Sequence, residues 1–174
     1  NNNVEPFNDI RVRKAINMAL DKDEIINSVM AGNGIKLETN MSPVMKKYCI
    51  ENLGEKQNID EAKKILEEVG KNNFTFTIKV PSNYPMHVNT AQIIAEQLKA
   101  IGLKAEIETI EWTTWLSDVY SGRKYEATIV GLSGKLDPYS ILRRYTSDYK
   151  NNFFNFSDEE YDMLIEEAKE STND

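Results

Sequence analysis

Phe74-Thr75-Phe76-Thr77-Ile78-Lys79-Val80 alternates apolar and polar side chains with the two-residue period of a strand that buries one face, and Pro81 and Pro85 end the run. Beyond it, Ala91, Ile94, Ala95 and Leu98 share one helical stripe between about Val88 and Ile101, and Gly102 closes that helix. Leu103, Ala105 and Ile107 return to the strand period. Trp112, Trp115, Leu116, Val119 and Tyr120 are again helically spaced and stop at Gly122. Tyr125 to Gly131 then carries Ala127, Ile129 and Val130 almost without charge, the composition of a strand covered on both faces. Residues 74–131 therefore read strand, helix, strand, helix, strand. Helix-length crossovers make neighbouring strands parallel and right-handed, so the expected class is α/β, with strands over 74–80, 103–109 and 125–131 in one sheet flanked by helices.

On the amino-terminal side, Asp9 precedes a stripe of Val12, Ala15, Ile16, Ala19 and Leu20. Asp21 and Glu24 form a capping-box-like start for a second helix carrying Ile25, Ile26, Val29 and Met30, which Gly32 and Gly34 break. Residues 35–57 lose all period around Pro43 and are expected to form a long irregular connection, a kind of loop that often carries function. Asn58-Ile59-Asp60-Glu61 opens a third helix with Ala62, Ile65, Leu66 and Val69 inward, ended by Gly70. On the far side, the box Ser157-Asp158-Glu159-Glu160 starts a last helix expected to turn Tyr161, Leu164, Ile165 and Ala168 inward. Neither an internal repeat nor a Gly/Ser linker divides the chain, so residues 1–174 are read as one unit.

The 174 residues hold 28 acidic against 21 basic side chains, a net charge of −7, which disfavours a nucleic-acid partner or an anionic membrane surface. No window approaches the roughly 18 uninterrupted apolar residues of a membrane span. Cys49 stands alone, without a Cys/His cluster to hold zinc. The opening Asn1-Asn2-Asn3 and the charged end at Asp174 are those expected of a segment cut from a longer protein, so the lack of a leader says nothing of location.

Open parallel sheets bind ligands in the crevice outside the carboxyl ends of their strands. That rule selects a rim of Ser82, Asn83, Tyr84 and Pro85 after the first strand, Glu111 and Trp112 after the second, and Leu132 to Asp137 after the third. These groups suit hydrogen bonding and stacking, although turn residues and core tryptophans give the same pattern. His87 is the only histidine and reads as a loop or helix-start residue, so no histidine-based triad or His-x-x-x-His metal helix can form. Glu106/Glu108 and Glu166/Glu167 lie where charges face water, and no Gly-rich nucleotide motif occurs. Asn151-Asn152-Phe153-Phe154-Asn155-Phe156 is read as a buried loop rather than a stacking platform. The reading is of a non-enzyme, with no catalytic residues, metal ligands or cofactor.

Several segments together resemble one family. Pro6-Phe7-Asn8-Asp9-Ile10-Arg11-Val12-Arg13-Lys14-Ala15-Ile16, followed by Ala19-Leu20-Asp21-Lys22-Asp23, is similar to the PF-x-D-x-RVR-x-A segment of the peptide/nickel class (family 5) of ABC-transporter solute-binding proteins. The order continues with 60–70, 93–103, Glu111-Trp112, Tyr125-Glu126 and Asp137-Pro138, across essentially the whole chain. The resemblance implies one lobe of a type II periplasmic-binding-protein-like fold, within a two-lobed clamp about three times this size. It also implies capture of a peptide or other small-molecule ligand, delivery to ABC permease subunits, and a place in the periplasm or, through a lipid anchor outside these residues, on the outer face of the cell membrane. A sensory or scaffold module built on the same lobe is the alternative.

Peptide-binding members carry GW-x-x-D-x-x-DP after the third strand. Here Gly131-Leu132-Ser133-Gly134-Lys135-Leu136-Asp137-Pro138 is one residue shorter, with Leu for Trp and Lys near the expected Asp. A cation repels a peptide ammonium, so Lys135 is expected either to favour a ligand carboxylate or to be a solvated loop lysine. The ligand-binding candidates are Asn83, Tyr84, Trp112, Leu132, Ser133, Lys135 and Asp137.

Overall fold

The computed structural model describes residues 1–170 apart from 51, 52 and 55. Each helix start that carries Asp or Asn uses it as a cap. The Asp9 carboxylate accepts the Arg11 amide before α1 (Ile10–Ala19), Asp21 accepts the Glu24 amide before α2 (Lys22–Met30), and the Asn58 side chain accepts the Glu61 amide before α3 (Ile59–Glu68). Between α2 and α3 the irregular connection contains one short 3-10 helix, Pro43–Tyr48, bent at Met45.

β1 (Thr75–Pro81) is followed by α4 (Pro85–Leu98), a 3-10 turn Lys99–Ile101, and β2 (Lys104–Ile110). Both strands sit one residue later than the alternation suggests, because the pairing runs from Thr75 with Lys104 to Pro81 with Ile110, leaving Phe74 and Leu103 as buried or half-buried lead-ins. α4 starts three residues earlier than expected, since Pro85 suits the first helical position, where no amide hydrogen is needed. Gly102, at φ +79°, supplies the left-handed turn into β2.

α5 (Trp112–Thr114) runs into a π-helical segment, Trp115–Ser121, and leads to β3 (Ala127–Thr128). The sheet order is β2-β1-β3 with both pairings parallel, the α/β arrangement expected. The third strand is far shorter than 125–131. Its ladder starts late because the Glu126 carboxylate, opposite Thr77, accepts the Thr77 amide at 2.7 Å through its side chain. Tyr125 turns away, its hydroxyl donating to the Phe153 carbonyl at 2.6 Å, and burial pushes that phenol up to about 12. Ala127 and Thr128 are half-buried rather than fully covered.

The pleat sends Phe76, Ile78 and Val80 to one face, where Val12, Ala15 and Ala19 of α1, Ala62 and Leu66 of α3, and Ala91 and Leu98 of α4 cover them. A second cluster, Trp115, Val119, Tyr125 and Phe153, gathers Ile110, Trp112, Tyr120, Val130 and Phe154 around it. The asparagine/phenylalanine run is a loop buried at Asn152 and Phe153, half-buried at 154–156 and exposed at Asn151; Asn152 donates to the carbonyls of Thr146 and Phe156 at 3.0 and 2.7 Å. α6 (Pro138–Leu142) and α7 (Glu159–Glu170) follow.

α7 departs from expectation at two points. Asp158 rather than Ser157 caps it, accepting the Tyr161 amide at 2.8 Å. Ile165 is buried, but Leu164 and Ala168 face out, because among the described residues α6 is the helix that packs on α7.

Leu66 is fully buried in the first cluster, whereas Leu136 is 99 % exposed. In the complete protein, Leu66→Ala should cost about 2–5 kcal/mol and Leu136→Ala no more than about 0.5 kcal/mol, read by denaturant unfolding. Equal effects would contradict this core.

Candidate ligand-binding site

In the order β2-β1-β3, the crossover from β1 leads to one neighbour and the next returns to the other side, so the topology switches between β1 and β3. At such a point the loops leaving adjacent strands part and open a crevice at the carboxyl edge. Tyr84 is the residue before α4, immediately beyond β1, and is 40 % exposed. Its ring lies 5.0 Å from that of His87 and meets Trp112 edge-to-face at 5.6 Å. Trp112 opens α5 and stacks on Trp115 at 5.1 Å with the planes 3° apart.

Trp115 is 2 % exposed and donates its indole N–H to the Thr128 hydroxyl at 2.9 Å, while that hydroxyl donates to the Lys79 carbonyl at 2.6 Å. The rim aromatics are thus tied to the central strand through one half-buried hydroxyl. The π-helical geometry of Trp115–Ser121, a form frequent at functional sites, belongs to the same unit.

Gly131 closes the other wall. A Cβ there would meet His87 Nε2 at 3.1 Å, so the chain passes the imidazole at a distance that favours glycine. His87 Nδ1 is buried without a hydrogen-bond partner among the described residues, and desolvation lowers the imidazole pKa from its ordinary 6.5. His87 is a helix-start residue, as read, yet it also lines the crevice, which its sequence position three residues after Tyr84 did not reveal.

The candidates thus separate. Tyr84 and Trp112 are in contact; Asn83 is exposed beside them. Leu132, Ser133 and Lys135 are exposed on the segment leaving β3. Among the described residues, no backbone-to-backbone hydrogen bond reaches residues 131–136, and the Ser133 carbonyl accepts from the Arg144 guanidinium at 3.3 Å. The Asp137 carboxylate instead accepts the Tyr139 and Ser140 amides and the Ser140 hydroxyl, which holds it below its usual pKa, the hydroxyl bond contributing most. It caps α6. Lys135 lines a cavity of about 230 Å³ with residues of 139–149. No group of three His, Cys, Asp or Glu side chains able to hold a metal gathers among the described residues.

A parallel β2-β1-β3 sheet carries a group of aromatic rings at its carboxyl edge, where open α/β sheets place their ligands. Residues 1–153 match the model of the bacterial extracellular solute-binding proteins, family 5 Middle, and the chain belongs to that family. It is 28 % identical to the dipeptide-binding protein DppE of Bacillus subtilis over the whole chain and 34 % of that protein. It is 30 % identical to heme-binding protein A of Haemophilus influenzae, over 99 % of the chain and 33 % of that protein. The oligopeptide-binding protein AppA of Bacillus subtilis, solved with a nonapeptide, superposes with a TM-score of 0.87 at 26 % identity, over 99 % of this chain and 38 % of its own. The chain therefore spans about a third of the length of these relatives.

Two outcomes follow from the geometry. Thr128→Val, which removes both hydroxyl bonds, should lower stability by about 1–3 kcal/mol and loosen the Trp112–Trp115 stack, visible in near-ultraviolet circular dichroism. Because folding depresses the His87 pKa, the folded state binds fewer protons. The contribution is therefore intact above pH 6.5 and is lost as pH falls below it. The melting temperature of the complete protein should drop more on acidification than that of His87→Gln; parallel curves would remove His87 from the folded-state proton balance.

Proposed function

We propose that this chain supplies one lobe of an ABC-importer receptor that captures a peptide or peptide-like small ligand and delivers it to membrane permease subunits. The observation that carries the reading is the segment 131–136, which leaves the sheet with no backbone-to-backbone hydrogen bond among the described residues, near the exposed Tyr84 ring and the half-buried Trp112. Such a segment offers N–H and C=O groups to an extended ligand backbone, the economy of strand addition, while neighbouring rings take side chains with little sequence demand. DppE and AppA, which bind peptides by name, support the same class.

Asn83, Tyr84, Trp112, Leu132, Ser133 and Lys135 are assigned to ligand contact, with His87 beside them. Asp137 acts by holding α6 and the rim loop. A second lobe closing over the crevice would expel water from these contacts and raise their worth, which a single open rim cannot do. Work outside the cytoplasm fits the family, and a lipid anchor or periplasmic confinement is the form we infer for it.

The test is calorimetric titration of the complete protein with synthetic peptides from dipeptides to nonapeptides, with haem as the contrasting ligand. Peptides should bind, and Tyr84→Ala should weaken them by about tenfold, the worth of one aromatic contact. Binding of haem and of no peptide would overturn the reading.

A further inference from the structure

Acidic side chains outnumber basic ones in this chain, and eight ion pairs tie up basic groups elsewhere on the described surface. Lys135, Arg143 and Arg144 stand outside those pairs and together. They line one cavity of about 230 Å³ with Tyr139, Ser140 and Tyr149, and among the described residues none of the three makes an ion pair.

The neighbouring carboxylates are already engaged. Asp137 accepts from the amides and hydroxyl of its own cap, and Asp148 accepts the Thr146 hydroxyl at 2.7 Å. Asp162 accepts both the amide and the hydroxyl of Ser147, and Glu166 accepts from Lys169 at 2.7 Å. Asp148, Asp162 and Glu166 line a second cavity with Lys169, which shares Tyr139 and Arg143 with the first, whereas Lys135 and Arg144 line the first alone.

The cluster is also held in place. The Arg143 guanidinium lies 5.5 Å from the Tyr149 ring and 6.0 Å from the Tyr139 ring, which restricts its long side chain. Arg144 donates to the Ser133 carbonyl, joining the cavity to the rim segment that follows Gly131. Three cations lining one cavity, none of them in an ion pair among the described residues, repel one another, an arrangement that an incoming anion relieves. Arginine forks also match the planar geometry of a carboxylate.

We propose that Lys135, Arg143 and Arg144 form an anion subsite at the end of the rim, which takes a carboxylate of the bound ligand and makes the receptor selective for acidic or free-carboxyl peptides. The inference rests on the peptide reading above. It differs from a bare expectation for Lys135 in requiring two arginines that sequence spacing alone did not associate with it.

The experiment compares, in the complete protein, synthetic peptides from dipeptides to nonapeptides in three forms: free carboxyl terminus, carboxyl-terminal amide, and amide with an internal glutamate. Free acids should bind about tenfold or more tighter than the plain amides, and the advantage should shrink as salt rises. The glutamate amides distinguish the sources: recovery of tight binding assigns the subsite to an acidic side chain, and its absence assigns it to the terminal carboxylate. Lys135→Gln, at an exposed loop position, and Arg143→Gln should each bring the acid-to-amide ratio toward one. Peptides that bind equally well as acids and plain amides would overturn the subsite and leave the peptide reading standing. Failure of every form to bind would overturn the reading itself, and the subsite with it.

Discussion

The pairing of Thr75–Pro81 with Lys104–Ile110 fixes where everything else can stand. Seven residues of parallel ladder on one edge of β1, and two on the other with β3, make β1 the central strand. A parallel strand in that position must be covered on both faces by crossover helices, and its carboxyl end must open where the loops part. A slip of one residue would send Phe76, Ile78 and Val80 to the wrong face and carry Tyr84 out of reach of Trp112.

The two faces are secured by different physics. On one, aliphatic side chains of α1, α3 and α4 bury Phe76, Ile78 and Val80, and the attraction is the non-directional hydrophobic effect. On the other, Trp115 is placed by direction: its N–H meets Thr128, which in turn meets the Lys79 carbonyl. Directional bonding in a region of low dielectric orients a ring more sharply than packing alone, and the stack passes that orientation outward to Trp112 and Tyr84. The rim is thus an extension of the second core.

Charge is distributed with the same economy. Asp137, Asp148, Asp162 and Glu166 are taken up by a cap, hydroxyls and Lys169, while Lys135, Arg143 and Arg144 line one cavity beside the segment that follows β3. The replacement of an expected acid by Lys135 therefore belongs to a local field rather than to one side chain. In a chain of net charge −7 that field is short-ranged, since salt screens it over about 8–10 Å, so it stays local to the segment after β3 without governing the whole molecule.

Much of this was legible in the residues. Period-two and helical patterns placed the strands and the main helices within a few residues, the Asp and Asn caps marked helix starts, and the Pro6-to-Ile16 motif pointed to the family to which the chain belongs. These features are local: each depends on side chains a few positions apart along the chain. The length of β3, the outward face of α7, the place of His87 against Gly131 and the company of Lys135 were not local. They depend on which groups distant segments leave available, as when the Glu126 carboxylate takes the Thr77 amide and delays the start of a ladder that composition alone would have begun earlier. Sequence by itself determined the elements, their order and the parallel crossovers, because backbone periodicity and capping are short-range. Tertiary structure decided which polar groups stayed free to meet a ligand, because hydrogen-bond satisfaction is settled only once the whole chain has packed.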